Sequence, residues 1–424
     1  MKTTKSNLLR ISILPMLGLF FALPDLTAQQ ADTIIYTYRG VVTDEKNESL
    51  PYAVLSVEKS SISTVTNSDG EFVLKVPQTE IEKSILVSFL GHENLRIPLS
   101  SLRSSDNRFR LKASAVALPD LEVVSKDPNL IVQNMMANTE KNYSRHDEIM
   151  TAFYRETIKK RNTNVSLSEA IVEVYKRAYG SNLHDMAALY KSRKSTDYNR
   201  LDTLVFKLMG GPFNNIYLDA MRYPEFIFTT SIFDNYEFTF INTDIINDRI
   251  VYVLGFKQLR HVAEPLFYGK LFIDAETYAL ARAEFDMDLK NNDEATRIFV
   301  RKKPFNARTS VTKAQYVLDY RLMDNVWRYA YSRVELGLKI NWKRRLFNTY
   351  YNTNIEMAAT DWTDNADRKS FRAKDRIVPS VVIQDETSGF GDVEFWGEYN
   401  IIEPDKSIDS AIEKIRKQLD KGLR

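Results

Sequence analysis

No cysteine occurs among the 424 residues of this chain. Disulfides, thiolate nucleophiles, cysteine zinc sites and an N-terminal lipid-modified cysteine are therefore excluded. Histidine is almost as scarce, with only His92, His146, His184 and His261. Neither sign of charge predominates, since 58 Lys and Arg stand against 56 Asp and Glu. A net charge of +2 leaves no excess from which to build the basic stripe that nucleic acid demands. The chain has no G-x-S-x-G elbow, no P-loop and no G-x-G-x-x-G, so three common catalytic and nucleotide-binding signatures are missing.

Long hydrophobic runs are also missing, apart from one at the N-terminus. Lys2, Lys5 and Arg10 precede the apolar stretch Ile11–Leu23, and Leu26-Thr27-Ala28 ends in a small residue. This order predicts a signal peptide, residues 1–28, cleaved after Ala28. A membrane anchor fits less well, because the run falls short of the ~20 residues a span needs and Pro15 interrupts it. Removing Lys2, Lys5, Arg10 and Asp25 takes the net charge from +2 to about zero. The expectation is an exported protein with no transmembrane segment in the mature chain. It would be periplasmic or associated with the outer membrane of a Gram-negative bacterium, and stabilised by buried core alone.

What the chain has in abundance is β-strand pattern. Arg39–Asp44, Pro51–Val57, Ser63–Thr66, Glu71–Pro77 and Ser84–Gly91 are short segments with period-two apolar residues, punctuated by turns. The turn Asn67-Ser68-Asp69-Gly70 is the clearest, with Gly70 suited to positive φ and Asp69 to bonding its own backbone. A metal-binding reading of this turn fails, because Val65 stands where a further acidic ligand belongs. Residues 36–112 therefore read as a small antiparallel β-sandwich and 113–126 as a linker.

Asp127-Pro128 then opens an amphipathic helix reaching about Tyr143, with Asp127 as N-cap and Ile131 and Met135 on one stripe. The body, residues 127–360, is otherwise read as strands. They are Met150–Lys159, Ser166–Arg177, Tyr236–Thr243, Arg249–Lys257, Tyr268–Ile273, Tyr278–Met287, Glu294–Lys302, Thr312–Leu322, Asn325–Lys339 and Phe347–Ala359. Gly180–Tyr223 reads as irregular, broken at Gly210-Gly211-Pro212. Residues 361–424 read as a polar irregular segment followed by a helix, Ile408–Leu419, capped by Ser407. The expected fold is mainly β with some α: the sandwich, then a large curved antiparallel sheet with one amphipathic helix and a C-terminal helix.

Through Gly40-Val41-Val42-Thr43-Asp44, Leu50-Pro51-Tyr52-Ala53-Val54, Thr66–Phe72 and Phe89-Leu90-Gly91-His92, the N-terminal segment resembles the carboxypeptidase-like regulatory domain. That resemblance implies a transthyretin-like sandwich acting as an accessory module and not as a catalyst. Leu254-Gly255-Phe256-Lys257, then Tyr268–Asp274 with Thr277–Leu280, is similar to the periplasmic lipoprotein-carrier half-barrels, which implies a bent sheet cupping a helix. With its ending Trp396-Gly397-Glu398-Tyr399-Asn400-Ile401-Ile402-Glu403-Pro404, the chain looks like the envelope proteins that carry the regulatory domain. It departs from those relatives that continue into an outer-membrane barrel.

Several residues suggest chemistry. His261-Val262-Ala263-Glu264 has the H-x-x-E of a metallocarboxypeptidase, but no histidine follows it to complete a zinc site. Lys339, Lys343, Arg344 and Arg345, interleaved with Trp342 and Phe347, form a basic knot. Trp342, Lys343, Arg344 and Arg345 are thus candidates for membrane contact. If the body sheet is open, Phe238, Phe240, Phe256, Phe272, Tyr316 and Trp327 are candidates to line an apolar ligand cavity; otherwise they build a closed core. No catalytic residue, metal or cofactor is expected. The expectation is a non-enzymatic exported adaptor whose partner is an envelope protein, a glycan or a lipid. The rivals are a carrier or chaperone for hydrophobic ligands and, behind it, a zinc peptidase.

Overall fold

The structure is a computed structural model that describes residues 34–114, 127–161, 163–196, 210–228, 231–300, 307–343, 346–365, 370–386, 393–410 and 412–413. The expected leader, most of the expected linker, Arg344, Arg345 and the C-terminal helix beyond Glu413 lie outside these residues.

Alternating apolar residues build seven short strands first: β1 (Ile35–Thr43), β2 (Val54–Val57), β3 (Ser63–Val65), β4 (Glu71–Pro77), β5 (Ser84–Ser88), β6 (Leu95–Pro98) and β7 (Asn107–Arg110). They form two sheets, in the orders β4-β1-β7 and β3-β2-β5-β6, and Val42, Leu55, Phe72, Leu74, Ile85 and Val87 bury their side chains between them. Phe72 stacks on Phe109 with ring centroids 5.2 Å apart. One pairing departs from the antiparallel expectation: β7 runs parallel to β1, with Gly40 opposite Asn107. Gly40 is required there, since a Cβ would lie 2.2 Å from the Asn107 carbonyl oxygen.

Next come α1 (Pro128–Ala137) and α2 (Thr139–Asn142). Asp127 caps α1 by accepting the Asn129 N–H at 2.9 Å, and Ile131, Val132 and Met135 are buried. The body continues with β8 (Glu148–Lys160), β9 (Thr163–Lys176) and β10 (Met186–Thr196), then the short helices α3 (Phe213–Ile216), α4 (Pro224–Ile227) and α5 (Ile232–Asn235). After them run β11 (Tyr236–Ile246), β12 (Arg249–Gln258), β13 (Phe267–Asp274), β14 (Leu280–Met287), α6 (Asn292–Phe299), β15 (Ala307–Met323), β16 (Val326–Trp342), β17 (Thr349–Asp364) and β18 (Arg376–Ile377). The larger sheet is antiparallel and does not close, in the order β11-β12-β13-β14-β15-β16-β17-β8-β9-β10-β18. Among the described residues no helix is long and apolar enough to cross a membrane.

Three segments differ from the sequence reading. Glu294–Lys302, read as a strand for its β-branched and aromatic residues, lies in α6 from Glu294 to Phe299. Asn291 caps that helix, Asp293 and Glu294 occupy its first turn and Arg297 its last, so the charges match the helix dipole. Gly180–Tyr223 contains β10, whose polar residues disguise it; β18 covers its outer edge only at Ala187 and Ala188. The segment after residue 360 begins within β17, which runs on to Asp364 opposite Glu148.

Each face of the larger sheet buries a different partner. One face packs α1 and the segment Phe213–Phe228 against Tyr154, Val172, Leu254 and Phe285. On the other face, Phe153, Ile171, Tyr331 and Ala358 meet Val65 and Val73 of the sandwich and Trp396, Ile401 and Ile402 of the C-terminal segment. Trp396 is 1% exposed, and its ring meets Phe153 edge-on at 5.5 Å. Replacing Trp396 with Ala removes that wedge. We expect the variant to lose about 3–5 kcal/mol of unfolding free energy in a urea titration, and limited proteolysis to cut first within residues 393–410.

Candidate functional site

The second face of the sheet carries its charges in register. Arg333 on β16 stands opposite Glu356 on β17, Glu356 opposite Arg155 on β8, Arg155 opposite Glu169 on β9, and Glu169 opposite Arg193 on β10. Arg155 bonds Glu169 through Nε at 2.7 Å, and Arg193 bonds the other Glu169 oxygen at 2.6 Å. Burial disfavours the Glu169 carboxylate, but the two guanidinium groups outweigh it and hold its pKa below the ordinary value. Burial likewise opposes the Arg155 charge, which Glu169 and Glu356 sustain.

The spare donors of Arg155 reach the C-terminal segment, giving hydrogen bonds to the carbonyls of Ile402 at 2.7 Å and Glu403 at 3.3 Å. Residues 395–408 thus form a strap between sheet and sandwich. Its other side is held by the sandwich. Asn400 accepts the Lys75 N–H at 2.7 Å and donates to the Lys75 carbonyl at 2.9 Å, as a neighbouring strand would on the free edge of β4. Thr64 donates to the Ile401 carbonyl at 3.0 Å, and Arg39 pairs with Glu403.

The 67–70 turn is the most elaborate of these contacts. Asn67 Oδ1 accepts the Asp69 and Glu71 N–H groups, both at 2.9 Å, and Gly70 adopts φ +76°. The turn then grips the strap: Asn67 Nδ2 donates to the Pro404 carbonyl at 3.1 Å, Ser68 to Asp405 at 3.1 Å, and Lys406 N–H to Asp69 at 3.1 Å. Asp405 caps the helical turn that follows by accepting Ile408 N–H at 2.8 Å. Sequence reasoning assigned that cap to Ser407, whose hydroxyl instead donates to Asp405 at 2.6 Å.

Beside this junction lies a cavity of about 370 Å³. Tyr52, Asn67 and Ser68 line it from the sandwich, Arg155, Thr157, Lys159, Lys313, Glu335, Asn354 and Glu356 from the sheet, and Asp405 and Ile408 from the strap. Asn354 Oδ1 is buried there with no hydrogen-bond partner. Tyr52 holds φ +65°, a strained conformation for a bulky side chain, while its ring stacks on Tyr331 at 5.8 Å under the Arg333 guanidinium. Burial, then the Glu356 charge, pushes the Tyr52 hydroxyl up to about 12. Burial also works against ionised Glu335 and Asp405, but Lys313 with Arg333 holds the first below the carboxylate range, and Ser407 with the Ile408 N–H holds the second. Every shift in this lining runs away from neutrality.

The other face holds a second polar group. Lys176 Nζ lies 2.7 Å from both Asp185 and Asp219, and the hydroxyls of Tyr179 and Tyr320 donate to Asp219 at 2.8 and 2.7 Å. Burial opposes the Lys176 charge, and the two carboxylates more than restore it. A cavity of about 570 Å³ opens nearby between α2, residues 179–184 and residues 221–225.

The residues singled out from sequence fall in different places. Phe238, Phe256 and Tyr316 share the helix-covered face, linked through Phe285, which is 6.2 Å from Phe256 and 5.0 Å from Tyr316. Phe272 is buried on the opposite face, because Gly269 is the partner of Phe256 and Phe272 lies three positions, an odd offset, further along the strand. Trp327 is 2% exposed and bridges to Tyr143, whereas Phe240 on the edge strand is 38% exposed. None of the cavities described above is lined by these six. Trp342 is not at the surface: it is 9% exposed and packs in the core, while Lys343 is exposed and Arg344 and Arg345 lie outside the described residues. His261 and Glu264 are exposed in the loop between β12 and β13, and among the described residues no three His, Asp or Glu gather closely enough for a metal. The junction cavity went unseen in sequence; its one local signal was the 67–70 turn, read only as a turn.

Residues 38–124 match the family model of the CarboxypepD_reg-like domain. No curated protein matches the chain. Among solved structures, the chain is similar to a DUF1329 family protein from Desulfovibrio piger, with 12% identity and a TM-score of 0.24 over 57% of this chain and 94% of that one. It is similar to MucB, solved in complex with MucA(peri), at 10% identity and TM-score 0.17 over 57% of this chain and 100% of that one. A LolA superfamily protein from Nitrosomonas europaea gives 10% identity and TM-score 0.21 over 58% of this chain and 98% of that one.

Glu169 yields a prediction with a definite sign. Its depressed pKa means that its stabilisation is complete above the ordinary value of 4.5 and is lost as pH falls through the lower folded value. Glu169→Gln leaves two buried guanidinium groups short of a partner, at a cost of about 3–5 kcal/mol at neutral pH. Thermal melts of both proteins across acid pH should show their difference shrinking below that value.

Proposed function

We propose that the protein is a non-catalytic binding and adaptor module of the bacterial cell envelope, and that the junction cavity is where it binds a polar, hydroxyl-bearing ligand of saccharide size. One observation carries this reading. A cavity bounded by three segments far apart in sequence is lined with carboxylates, amides, hydroxyls and two lysines. A ligand rich in hydroxyls meets hydrogen-bonding groups on each wall of such a cavity. General acid or base catalysis calls for a pKa near the working pH. The shifts of Tyr52, Glu335 and Asp405 run the other way, which supports recognition over chemistry.

The leader-like N-terminus supports export. The fixed attachment of the sandwich supports an accessory role, in which it supplies one wall of the site. An apolar-ligand carrier is less well supported, since Phe238, Phe256 and Tyr316 fill the space between the sheet and its helices with one another.

Calorimetric titration with a panel of envelope glycan fragments tests the proposal. At least one fragment should bind, and Asn354→Leu should weaken it about tenfold without lowering the melting temperature. Binding of a fluorescent lipid probe at micromolar concentration, with no fragment bound, overturns the reading.

A further inference from the structure

The near-zero net charge conceals a separation of charge along the strands. Three sequence windows, 157–168, 295–318 and 336–355, together contain 13 Lys and Arg and no Asp or Glu. Among the described residues of these windows, Lys159, Lys160, Arg161, Arg308, Lys339 and Lys343 lie at or near strand ends that stand side by side at one end of the larger sheet: Ala307 is opposite Trp342, Ile340 opposite Thr349, Tyr351 opposite Lys160 and Lys160 opposite Thr163. The turns at the other end carry Asp248, Asp274, Glu276, Asp324 and Asp364. On the side of Lys160 and Trp342, the ends of β8, β9, β15, β16 and β17 therefore form a basic rim, whereas at the other end Arg249 pairs with Asp274 and Glu276, and Arg328 with Glu148.

Two large apolar side chains stand out from the basic rim. Leu346 is 97% exposed and Phe347 is 78% exposed, adjacent in the connection between β16 and β17. Single exposed apolar residues are ordinary, but a consecutive Leu-Phe at a hairpin tip, almost wholly in water, is not. Around it stand exposed Lys343, Arg161 and Arg308, and Tyr350, 44% exposed, whose carbonyl accepts the Arg161 N–H at 3.0 Å.

We infer that this rim docks on an anionic phospholipid bilayer, with Leu346 and Phe347 entering the headgroup boundary and the basic side chains meeting lipid phosphates. Basic residues near an anionic surface add affinity individually, and a short apolar insertion adds a contribution that salt does not screen. A nucleic acid or anionic polysaccharide uses the charges but has no place for Leu346 and Phe347. The expected tryptophan anchor is thereby replaced by the two residues that follow the basic run.

Vesicle co-sedimentation of the full-length protein tests this directly. Binding is expected to vesicles of phosphatidylcholine with one-third phosphatidylglycerol and not to phosphatidylcholine alone. Leu346→Ser with Phe347→Ser changes only exposed side chains; it should weaken vesicle binding about tenfold or more while the melting temperature stays put. Lys343→Ala should weaken it about fivefold. Equal binding to both vesicle types overturns the inference, and so does a double serine variant that binds like the parent. Binding to heparin that matches vesicle binding and is indifferent to the double substitution assigns the rim to a soluble polyanion and overturns it equally.

Discussion

A row of alternating charges, Arg333, Glu356, Arg155, Glu169 and Arg193, crosses five neighbouring strands of the larger sheet, and the molecule is organised around its middle member. The Arg155 side chain is 2% exposed and that of Glu169 0% exposed, so each ion has given up its water. Such burial is tolerable only where geometry and further hydrogen bonds replace the lost solvation. Glu169 achieves it with one guanidinium on each side, and Arg155 with Glu169 plus two carbonyls of the strap. The strap is therefore part of the solvation shell of a buried ion. Trp396 and Ile402, packed beside it, exclude the water that would otherwise compete.

This accounts for the attachment of the sandwich. An accessory module on a linker is ordinarily free to move relative to its neighbour. Here the sandwich is bonded to the strap through Thr64, Asn67, Ser68 and Asp69, and to the sheet through Ser63, whose hydroxyl donates to the Ala359 carbonyl at 3.0 Å. Three surfaces meeting around fixed charges cannot all close against one another. The cavity is what remains where Lys159, Lys313, Glu335 and Asp405 retain access to water.

What was legible in the sequence was local. Period-two patterning marked the sandwich strands, Asp127-Pro128 marked the start of α1, and the strands read at Tyr268–Ile273 and Tyr278–Met287 appear as β13 and β14, joined where Asp274 accepts the Thr277 N–H at 2.8 Å. What was illegible depended on distant pairing. Nothing near Asn67 announces a contact with Pro404, 337 residues away, and the charge row exists only once five strands are set in register. Propensity also misled where two signals competed. The β-branched and aromatic run Ile298-Phe299-Val300 reads as a strand, while in the chain the Asn291 cap and the acidic first turn prevailed. Trp342 shows a third limit. A tryptophan amid basic residues reads as an interfacial anchor, yet strand alternation points it into the core and leaves Leu346 and Phe347 outside.

The two charge patterns have opposite physical characters, and that difference separates their roles. Buried charges are desolvated once, at folding, so salt and modest pH changes leave the Arg155 and Glu169 pair in place. Charges on the exposed rim keep their water and their sensitivity to ionic strength, which makes them suited to reversible attachment and unsuited to holding a fold. A protein that must keep a site rigid while meeting and leaving a charged surface needs both kinds, well separated. Here the sheet separates them: the ladder crosses the middle of the strands beneath the strap, and the basic residues gather where those strands end.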